Sequence, residues 1–248
     1  MKLVARTLLA AVLTLSMSSA AMATFSGQVW IPSTDAKGFG EVNISIDNYI
    51  RFSSADNAGV NTYDAGVTVG VLPFEKLKLE VGVDYLTDGL QSEDSAMSDH
   101  PIYFNFKAAV PEDAMMKGMP SVAVGMFGMN TADSALSANI VYGLVAKTFP
   151  VVGRISAGGY HGAEQSLGSS NDGLLLSWDR SMPEISDKLW MAVDYMSGKN
   201  AFGALSVGAA WAFTPNVSLL VGANIYNPFQ DEKLGGKPTF TTQLDINF

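Results

Sequence analysis

The chain carries few groups with which a hydrolase could be built. Its only two histidines are His100 and His161. A serine nucleophile needs a histidine close enough to take its proton, and Ser166 and Ser169 follow His161 after Glu164. These residues fall in a segment that we expect to be a loop, where solvated side chains are the more ordinary interpretation. We therefore assign no catalytic residue, and a lipid-modifying enzyme at His161 ranks last among the functions considered.

Metal and cofactor sites are not predicted. Cysteine is absent, which excludes disulfides, thiolate metal sites and covalently attached c-type haem. Asp35 and the pair Asp231 and Glu232 offer the oxygen ligands that hard cations prefer, but acids in loops are usually solvated. We expect no metal ion and no cofactor.

The charged residues with the clearest pattern are predicted to line a pore. Each stands in an alternating segment, at the parity that also holds many glycines and serines, and such a parity is typical of the polar interior of a barrel. The predicted pore-lining residues are Asp47, Arg51, Asp64, Lys78, Glu80, Asp84, Lys107, Lys147, Arg154, Asp179, Asp194 and Asp245. Basic and acidic members could face each other across an open lumen, or pair and close it, since buried charges must be paired. Close pairing of Lys78, Lys107, Lys147 and Arg154 with acids would favour the closed form.

Alternation of period two is plainest in residues 240–248. Phe240, Leu244, Ile246 and Phe248 fall on one face, with Thr242 as the polar exception. The other face carries Thr241, Gln243, Asp245 and Asn247. One face must therefore meet an apolar medium and the other a wet one.

Twelve such segments can be counted in the chain. They cover residues 41–52, 62–71, 77–87, 101–110, 121–129, 138–148, 153–162, 172–180, 188–197, 201–213, 216–226 and 238–248. Backbone groups in lipid must be satisfied internally, so strands can cross a membrane only as a closed barrel. The predicted fold is an all-β transmembrane antiparallel up-and-down barrel of twelve strands, with ten or fourteen as alternatives, and an even count puts both termini on the periplasmic side.

The N-terminal region predicts export. Lys2 and Arg6 precede a short apolar run, and residues 21–23 read Ala-Met-Ala, the small-x-small form of a signal peptidase site. We expect residues 1–23 to be a cleaved signal peptide, 24–40 a periplasmic segment and 41–248 the barrel. Residues 24–40 could enter the barrel mouth or lie along the periplasmic rim, and the lack of alternation favours the rim.

Charge and aromatic placement agree with a membrane barrel. Loss of Lys2 and Arg6 with the signal peptide takes the formal net charge from −9 to −11, which argues against nucleic acid as a partner. Aromatic side chains of the apolar parity collect near segment ends, as in the two belts of a membrane barrel. The outer belt is predicted to hold Phe52, Tyr63, Tyr85, Tyr195, Phe202 and Phe240, and the inner belt Trp178, Trp211, Phe213 and Phe248.

The ending of the chain, with a terminal Phe248 on an alternating strand, resembles the signal by which Gram-negative outer-membrane β-barrels are recognised by their assembly machinery. The turn segments 72–76 and 177–188 are similar to those of uncharacterised porin-like barrels. The resemblance implies location in the outer membrane, contact with outer-membrane lipid and recognition by the assembly machinery through Phe248.

The function predicted from these patterns is a porin-like channel for passive diffusion of small polar solutes through a charged lumen. The first alternative is a plugged structural or interaction barrel without transport. The acids in the outer half of the barrel predict a mild preference for cations or neutral solutes over anions.

Overall fold

The computed structural model describes residues 26–55, 58–88, 99–131, 136–232 and 234–248. The predicted signal peptide, and residues 89–98 between the predicted segments 77–87 and 101–110, lie outside the described residues. Twelve strands make up nearly all of the regular structure. They are β1 (Val42–Arg51), β2 (Thr62–Gly70), β3 (Lys78–Thr87), β4 (Ile102–Val110), β5 (Ser121–Asn130), β6 (Ile140–Phe149), β7 (Gly153–His161), β8 (Asp172–Ser181), β9 (Leu189–Met196), β10 (Ala204–Thr214), β11 (Val217–Tyr226) and β12 (Thr239–Asn247).

The strands form one closed antiparallel barrel in which each strand pairs with its neighbours in sequence and β1 pairs with β12. Ile46 stands opposite Leu244 at this closing seam, so the apolar parity continues across it. Asn48 and Thr242, the polar members of that parity, also stand opposite each other, and Asn48 Nδ2 donates a hydrogen bond to Thr242 Oγ1. The predicted fold class and the count of twelve strands are confirmed.

Alternation sorts the two faces of the barrel wall. In β3, Val81, Val83 and Tyr85 are exposed on the outside, whereas Glu80 and Asp84 are buried inside. The same outward exposure of large apolar side chains recurs around the barrel, which is the surface that lipid requires. The wall therefore presents a nonpolar exterior and a polar interior.

The two ends of the barrel differ. Both ends of the barrel chain, at Val42 and Phe248, lie together and exchange backbone hydrogen bonds of 3.2 and 2.8 Å. We call this the inner end. At the opposite, outer end, a four-residue helix α1 (Glu164–Leu167) follows β7, and Leu167 packs into the core. Among the described residues, no helix has the length and apolar character needed to cross a membrane.

Residues 26–37, called the lumen segment below, lie inside the barrel. Gln28, Val29 and Ile31 are at most 1% exposed. Only residues 38–41 run along the inner rim, where Gly40 N donates to Gly70 O. The rim position predicted for residues 24–40 is therefore wrong for the lumen segment, because its partners are inward side chains that a local pattern does not reveal.

The aromatic belts are present with one correction. Phe52, Tyr85, Trp211 and Phe248 are exposed on the outside of the wall near strand ends. Phe202, which was predicted for the outer belt, instead packs against the buried core in front of β10. Because Phe202 lies before β10 begins, the alternation of that strand does not direct its side chain outward.

Candidate functional site: the barrel lumen

The lumen segment has its own compact turn. Gln28 N donates to Ile31 O at 2.7 Å, and Ser33 N donates to Ser26 O at 3.1 Å. An isolated bridge joins Gly27 to Pro32. These bonds satisfy part of the backbone locally, so the remaining donors and acceptors are free to bind the barrel wall.

The Glu80 carboxylate binds both ends of the lumen segment. Its carboxylate accepts hydrogen bonds from Ser26 N at 3.0 Å, Ser26 Oγ at 2.8 Å and Lys37 N at 2.9 Å. Lys107 Nζ lies 3.0 Å from Glu80 Oε1, and neither side chain is exposed. The ammonium also donates to the carbonyl oxygens of Ser26 and Asp35. The charges of Glu80 and Lys107 therefore neutralise each other, and the same two side chains anchor the lumen segment.

Arg154 and Asp179 hold the segment on the other side of the lumen. Arg154 Nε lies 2.9 Å from Asp179 Oδ1, and its Nη1 lies 2.7 Å from Asp35 Oδ2. Gln28 Nε2 donates to the same Asp179 Oδ1 at 2.9 Å. Trp190 Nε1 donates to Asp179 Oδ2 at 3.3 Å. The network around Asp179 thus joins three strands, β7, β8 and β9, to the lumen segment.

Asp194 binds the tip of the turn. Its Oδ2 accepts hydrogen bonds from Val29 N at 2.7 Å and Trp30 N at 2.8 Å. Gln243 Nε2 donates to Val29 O at 2.8 Å. These side chains satisfy the backbone of a turn that has no strand to pair with.

Glycine makes room for the segment. Gly208 and Gly222 are register partners on β10 and β11. A Cβ atom at Gly208 would lie 2.9 Å from Val29 Cγ2, and one at Gly222 would lie 3.1 Å from Val29 Cγ1. These two inward glycines therefore leave the space that the Val29 side chain occupies.

Two predicted pore-lining lysines do not bind the lumen segment. One of them lines the inner cavity, and the other does not face the lumen. Lys78 lies at the inner cavity, without an ion pair among the described residues. Lys147 shares the parity of the exposed Val141 and Val145, so the prediction that it lines the lumen is wrong. The inward positions of β6 are instead Tyr142, Leu144 and Ala146, which are buried, and the strand's polarity did not reveal this because both of its parities are largely apolar.

Lys147 binds a turn at the inner end. Its Nζ lies 2.7 Å from Glu112 Oε1 and 3.6 Å from Asp113 Oδ1. Partial burial would raise the pKa of Glu112, but hydrogen bonds from Lys147 and Thr148 lower it below its usual value. The pair fastens the β4–β5 turn to β6 at the inner end, where Glu112 borders the inner cavity.

Two cavities lie on either side of the lumen segment. The outer cavity has a volume of about 760 Å³ and is lined by residues 27–31 of the segment together with Asp47, Asp64 and Asp84. The inner cavity has a volume of about 1210 Å³ and is lined by Ser26 and residues 34–37. The lumen is thus wide at both ends and occupied between them.

The predicted pore-lining residues divide between these regions. Asp47, Arg51, Asp64 and Asp84 line the outer cavity. Glu80, Lys107, Asp179, Arg154 and Asp194 bind the lumen segment, as described above. Asp245 is fully buried and accepts a hydrogen bond of 3.2 Å from Asn43 Nδ2.

Sequence reasoning missed the functional residues of the lumen segment itself, among them Gln28, Val29, Trp30 and Asp35. The one local signal was a cluster of large apolar residues, Val29 to Ile31, in a segment without alternation. Such a cluster needs a buried place, and in the structure the lumen provides it.

The residues considered for catalysis and metal binding are not assembled into a site. His161 is exposed at the end of β7, opposite Asp172, and no hydrogen bond joins it to Ser166 or Ser169 in the described part of the chain. Within the same residues, no group of three or more histidine and acidic side chains could hold a metal ion.

Comparison with known proteins identifies the fold. No protein-family model and no curated protein sequence matches the chain. Among solved structures, the KdgM porin is similar over 83% of this chain and 98% of its own, with a TM-score of 0.52 and 7% identity. The KdgM porin in complex with disordered oligogalacturonate has the same TM-score at 8% identity. A porin of Rh. blastica is similar over 75% of this chain and 55% of its own, with a TM-score of 0.40. The chain, a closed barrel of twelve strands, therefore shares its overall fold with the KdgM porin.

Proposed function

We propose that the protein is an outer-membrane channel for passive diffusion of small polar solutes, and that the lumen segment closes it at rest. The observation that carries the proposal is the pair of cavities, one on each side of residues 26–37, inside a closed barrel with a polar interior. Displacement of one short segment would join them into a continuous path.

The contacts of the segment suit a reversible closure. Most of them are hydrogen bonds to inward carboxylates and amides, such as Asp194 and Gln243. Water can replace such partners when the segment leaves, because the net free energy of each exchanged bond is small. The lumen wall does not depend on the segment for its own backbone pairing, since every strand is paired with two neighbours.

The acidic side chains that line the outer cavity affect which solute charge the channel would admit. The KdgM porin has been solved with an oligogalacturonate, an acidic sugar chain. In this chain Asp47, Asp64 and Asp84 line the outer cavity, and their negative charge opposes entry of an anion. We therefore propose neutral or cationic polar solutes.

The second candidate is a barrel that stays closed and serves as a scaffold. The observation that favours it is the anchoring of the segment by Lys107 and Glu80, which are both fully buried. The segment donates three hydrogen bonds to Glu80 and accepts two from Lys107. Hydrogen bonds to charged groups typically contribute about 1.5–3 kcal/mol each, so an opening that broke all of them would be rare. The two candidates differ only in whether the segment moves.

A reversible cross-link separates the candidates. The chain has no cysteine, and Val29 Cγ2 lies 2.9 Å from the place of a Cβ at Gly208, so cysteines at 29 and 208 are within disulfide reach. The refolded V29C/G208C variant should be silent in a planar bilayer when oxidised and should show discrete conductance steps after reduction. The single variant V29C, with and without reductant, controls for the reductant.

The outcomes separate three cases. Silence in both redox states, from protein that is folded by its β-sheet circular dichroism, would refute the channel and favour the scaffold. Equal conductance in both states would leave the channel standing and refute closure by the segment.

We also propose that Phe248 directs assembly and that residues 1–23 are removed on export. The support for the first is the exposed Phe248 side chain at the end of the last strand. The support for the second is the Ala-Met-Ala sequence at residues 21–23. Mass spectrometry of the outer-membrane fraction would give the mature N-terminus, expected at Thr24.

A further inference from the structure

We propose that the outer cavity is a binding site for a small organic cation, an ammonium group carried on an apolar or aromatic body. The proposal concerns binding from the outer side of the lumen segment. It does not require the barrel to conduct, so it can hold or fail independently of the channel.

The first observation is a pair of facing carboxylates, of which Asp47 is buried and Asp64 is partly exposed. Asp47 on β1 and Asp64 on β2 are register partners, and both line the outer cavity. Asp47 is 2% exposed. The Oδ1 atoms of both residues are buried and accept no hydrogen bond from the described residues.

A third acid stands beside them. Asp84 on β3 lies opposite Gly66, two residues along β2 from Asp64. Asn105 Nδ2 donates to Asp84 Oδ2 at 2.7 Å. An amide donor leaves the formal charge of the carboxylate in place, so Asp84 is a third acid in the wall of this cavity.

The nearest cation is engaged elsewhere. Arg51 lines the same cavity, but its Nε donates to Val60 O at 2.9 Å. Its Nη1 donates to Gly235 O at 2.7 Å and to Lys237 O at 2.6 Å. Arg51 therefore holds two outer loops, and within the described residues it forms no ion pair with Asp47 or Asp64. A carboxylate withdrawn from water must either take up a proton or gain a counter-charge, and a bound cation would supply the counter-charge.

An independent observation points to an organic ligand rather than a bare ion. Trp30 stands edge-on to Tyr49, with 5.3 Å between ring centroids, and edge-on to Tyr226, with 5.6 Å. All three rings line the outer cavity. Aromatic rings attract organic cations through their faces and bind apolar bodies by burial. Arg51 already covers the Tyr226 ring, with its Cζ 4.9 Å from the ring centroid, so we expect the ligand to contact Trp30 and Tyr49. Trp30 is held in place because its Nε1 donates to Phe202 O at 2.8 Å.

Further support comes from Gln28 and from the size of the cavity. Gln28 lines the cavity and is 1% exposed, yet its Oε1 accepts no hydrogen bond in the described part of the chain. This oxygen is an additional acceptor for an N–H donor. The volume of about 760 Å³ falls within the range of about 300–1,000 Å³ typical of small-molecule sites.

Three probes of one shape test the role of charge. Phenethylammonium, 2-phenylethanol and phenylacetate share a phenyl body and differ in being cationic, neutral and anionic. Binding to the refolded protein is measured by titration calorimetry. We expect phenethylammonium to bind roughly tenfold or more tightly than 2-phenylethanol, since hydrogen bonds to charged groups contribute about 1.5–3 kcal/mol, and phenylacetate to bind most weakly.

Variants identify the groups responsible. The double variant D47N/D64N keeps the shape of both side chains and removes their charge, so it should lose the preference for phenethylammonium over 2-phenylethanol. Asp187→Asn, an exposed acid in the β8–β9 turn, should keep it. Trp30→Phe should retain binding by calorimetry but remove any quenching of tryptophan fluorescence caused by the ligand.

Other outcomes would overturn the proposal. They are equal binding of all three probes, no binding to protein that is folded by circular dichroism, or an unchanged preference in D47N/D64N. The last two would mean that Asp47 and Asp64 are not the groups that bind an ammonium ion. If the double variant does not fold, Asp47→Asn and Asp64→Asn are compared singly, and each must weaken the preference.

Discussion

Lys107 and Glu80 form an ion pair of 3.0 Å inside the barrel, with neither side chain exposed, and the same two side chains hold both ends of the lumen segment. They stand opposite each other on β4 and β3. This contact therefore contributes both to the stability of the wall and to the position of the lumen segment. This relationship leads to the first of four predictions.

Lys107→Met should strongly destabilise the protein. It leaves the Glu80 carboxylate buried without its counter-charge, which typically costs about 3–5 kcal/mol. The free energy of unfolding is measured by urea titration of the protein refolded into lipid vesicles. Lys78→Met is the matched control, because Lys78 lies on the same strand as Glu80 and has no ion pair among the described residues. Equal loss of stability in the two variants would contradict the anchoring role.

Gly208→Ala should loosen the lumen segment. The new Cβ would lie 2.9 Å from Val29 Cγ2, and overpacking of this kind typically costs about 1–3 kcal/mol. Lys37 is the first lysine or arginine after residue 23, so trypsin would release a short peptide whenever the segment leaves the lumen. We expect cleavage after Lys37 to be roughly five- to a hundredfold faster in Gly208→Ala than in the wild type.

A compensating change provides the control for this prediction. Val29→Ala removes the methyl groups that the new Cβ would meet, so V29A/G208A should be cleaved more slowly than Gly208→Ala alone. If the double variant is cleaved as fast as the single one, the clash is not the cause of the faster cleavage.

Neutralising the acids of the outer cavity should reduce cation selectivity. In a protein that conducts, D47N/D64N/D84N should bring the reversal potential in a salt gradient closer to zero, because fewer fixed negative charges line the path. Asp187→Asn, outside the lumen, should leave the reversal potential unchanged. An unchanged potential in the triple variant would show that these acids do not border the conducting path.

Phe248→Ala should impair assembly in cells without impairing folding in vitro. If the terminal aromatic is read by assembly machinery, the amount of folded barrel in the outer membrane should fall, while refolding of the purified protein should proceed as in the wild type. Phe213→Ala is the matched control, since Phe213 is another exposed aromatic residue in the β10 strand near the inner end. A similar fall for both variants would indicate a general need for belt aromatics.

The wall of the barrel could be predicted from sequence in detail. Each of the twelve predicted segments overlaps one strand, and the final strand places Gln243 and Asp245 inward as expected. The reason is that successive residues of a strand face lipid and lumen in turn. Apolar and polar residues therefore alternate along the strands with a period of two. Lys147 shows the limit, because in β6 both parities are apolar and the sequence does not say which one faces lipid.

The lumen site could be predicted only in part. Alternation predicted four inward charges that bind the lumen segment, but it did not predict their common partner. These charges are Glu80, Lys107, Asp179 and Asp194. That partner is the lumen segment, and its contacts join residues far apart in the chain, as between Gln28 and Asp179. Such contacts depend on where the closed wall places each strand, which no local pattern records.

The sequence by itself thus determined the membrane barrel, its strands and the polarity of its interior, because alternation is a local consequence of two different media. Only the tertiary structure decided that residues 26–37 enter the lumen, that Val29 seats between Gly208 and Gly222, and that a cavity with Asp47 and Trp30 remains outside it. The physical reason is that a closed barrel encloses a space, and what fills that space is chosen by shape and charge from all twelve strands at once.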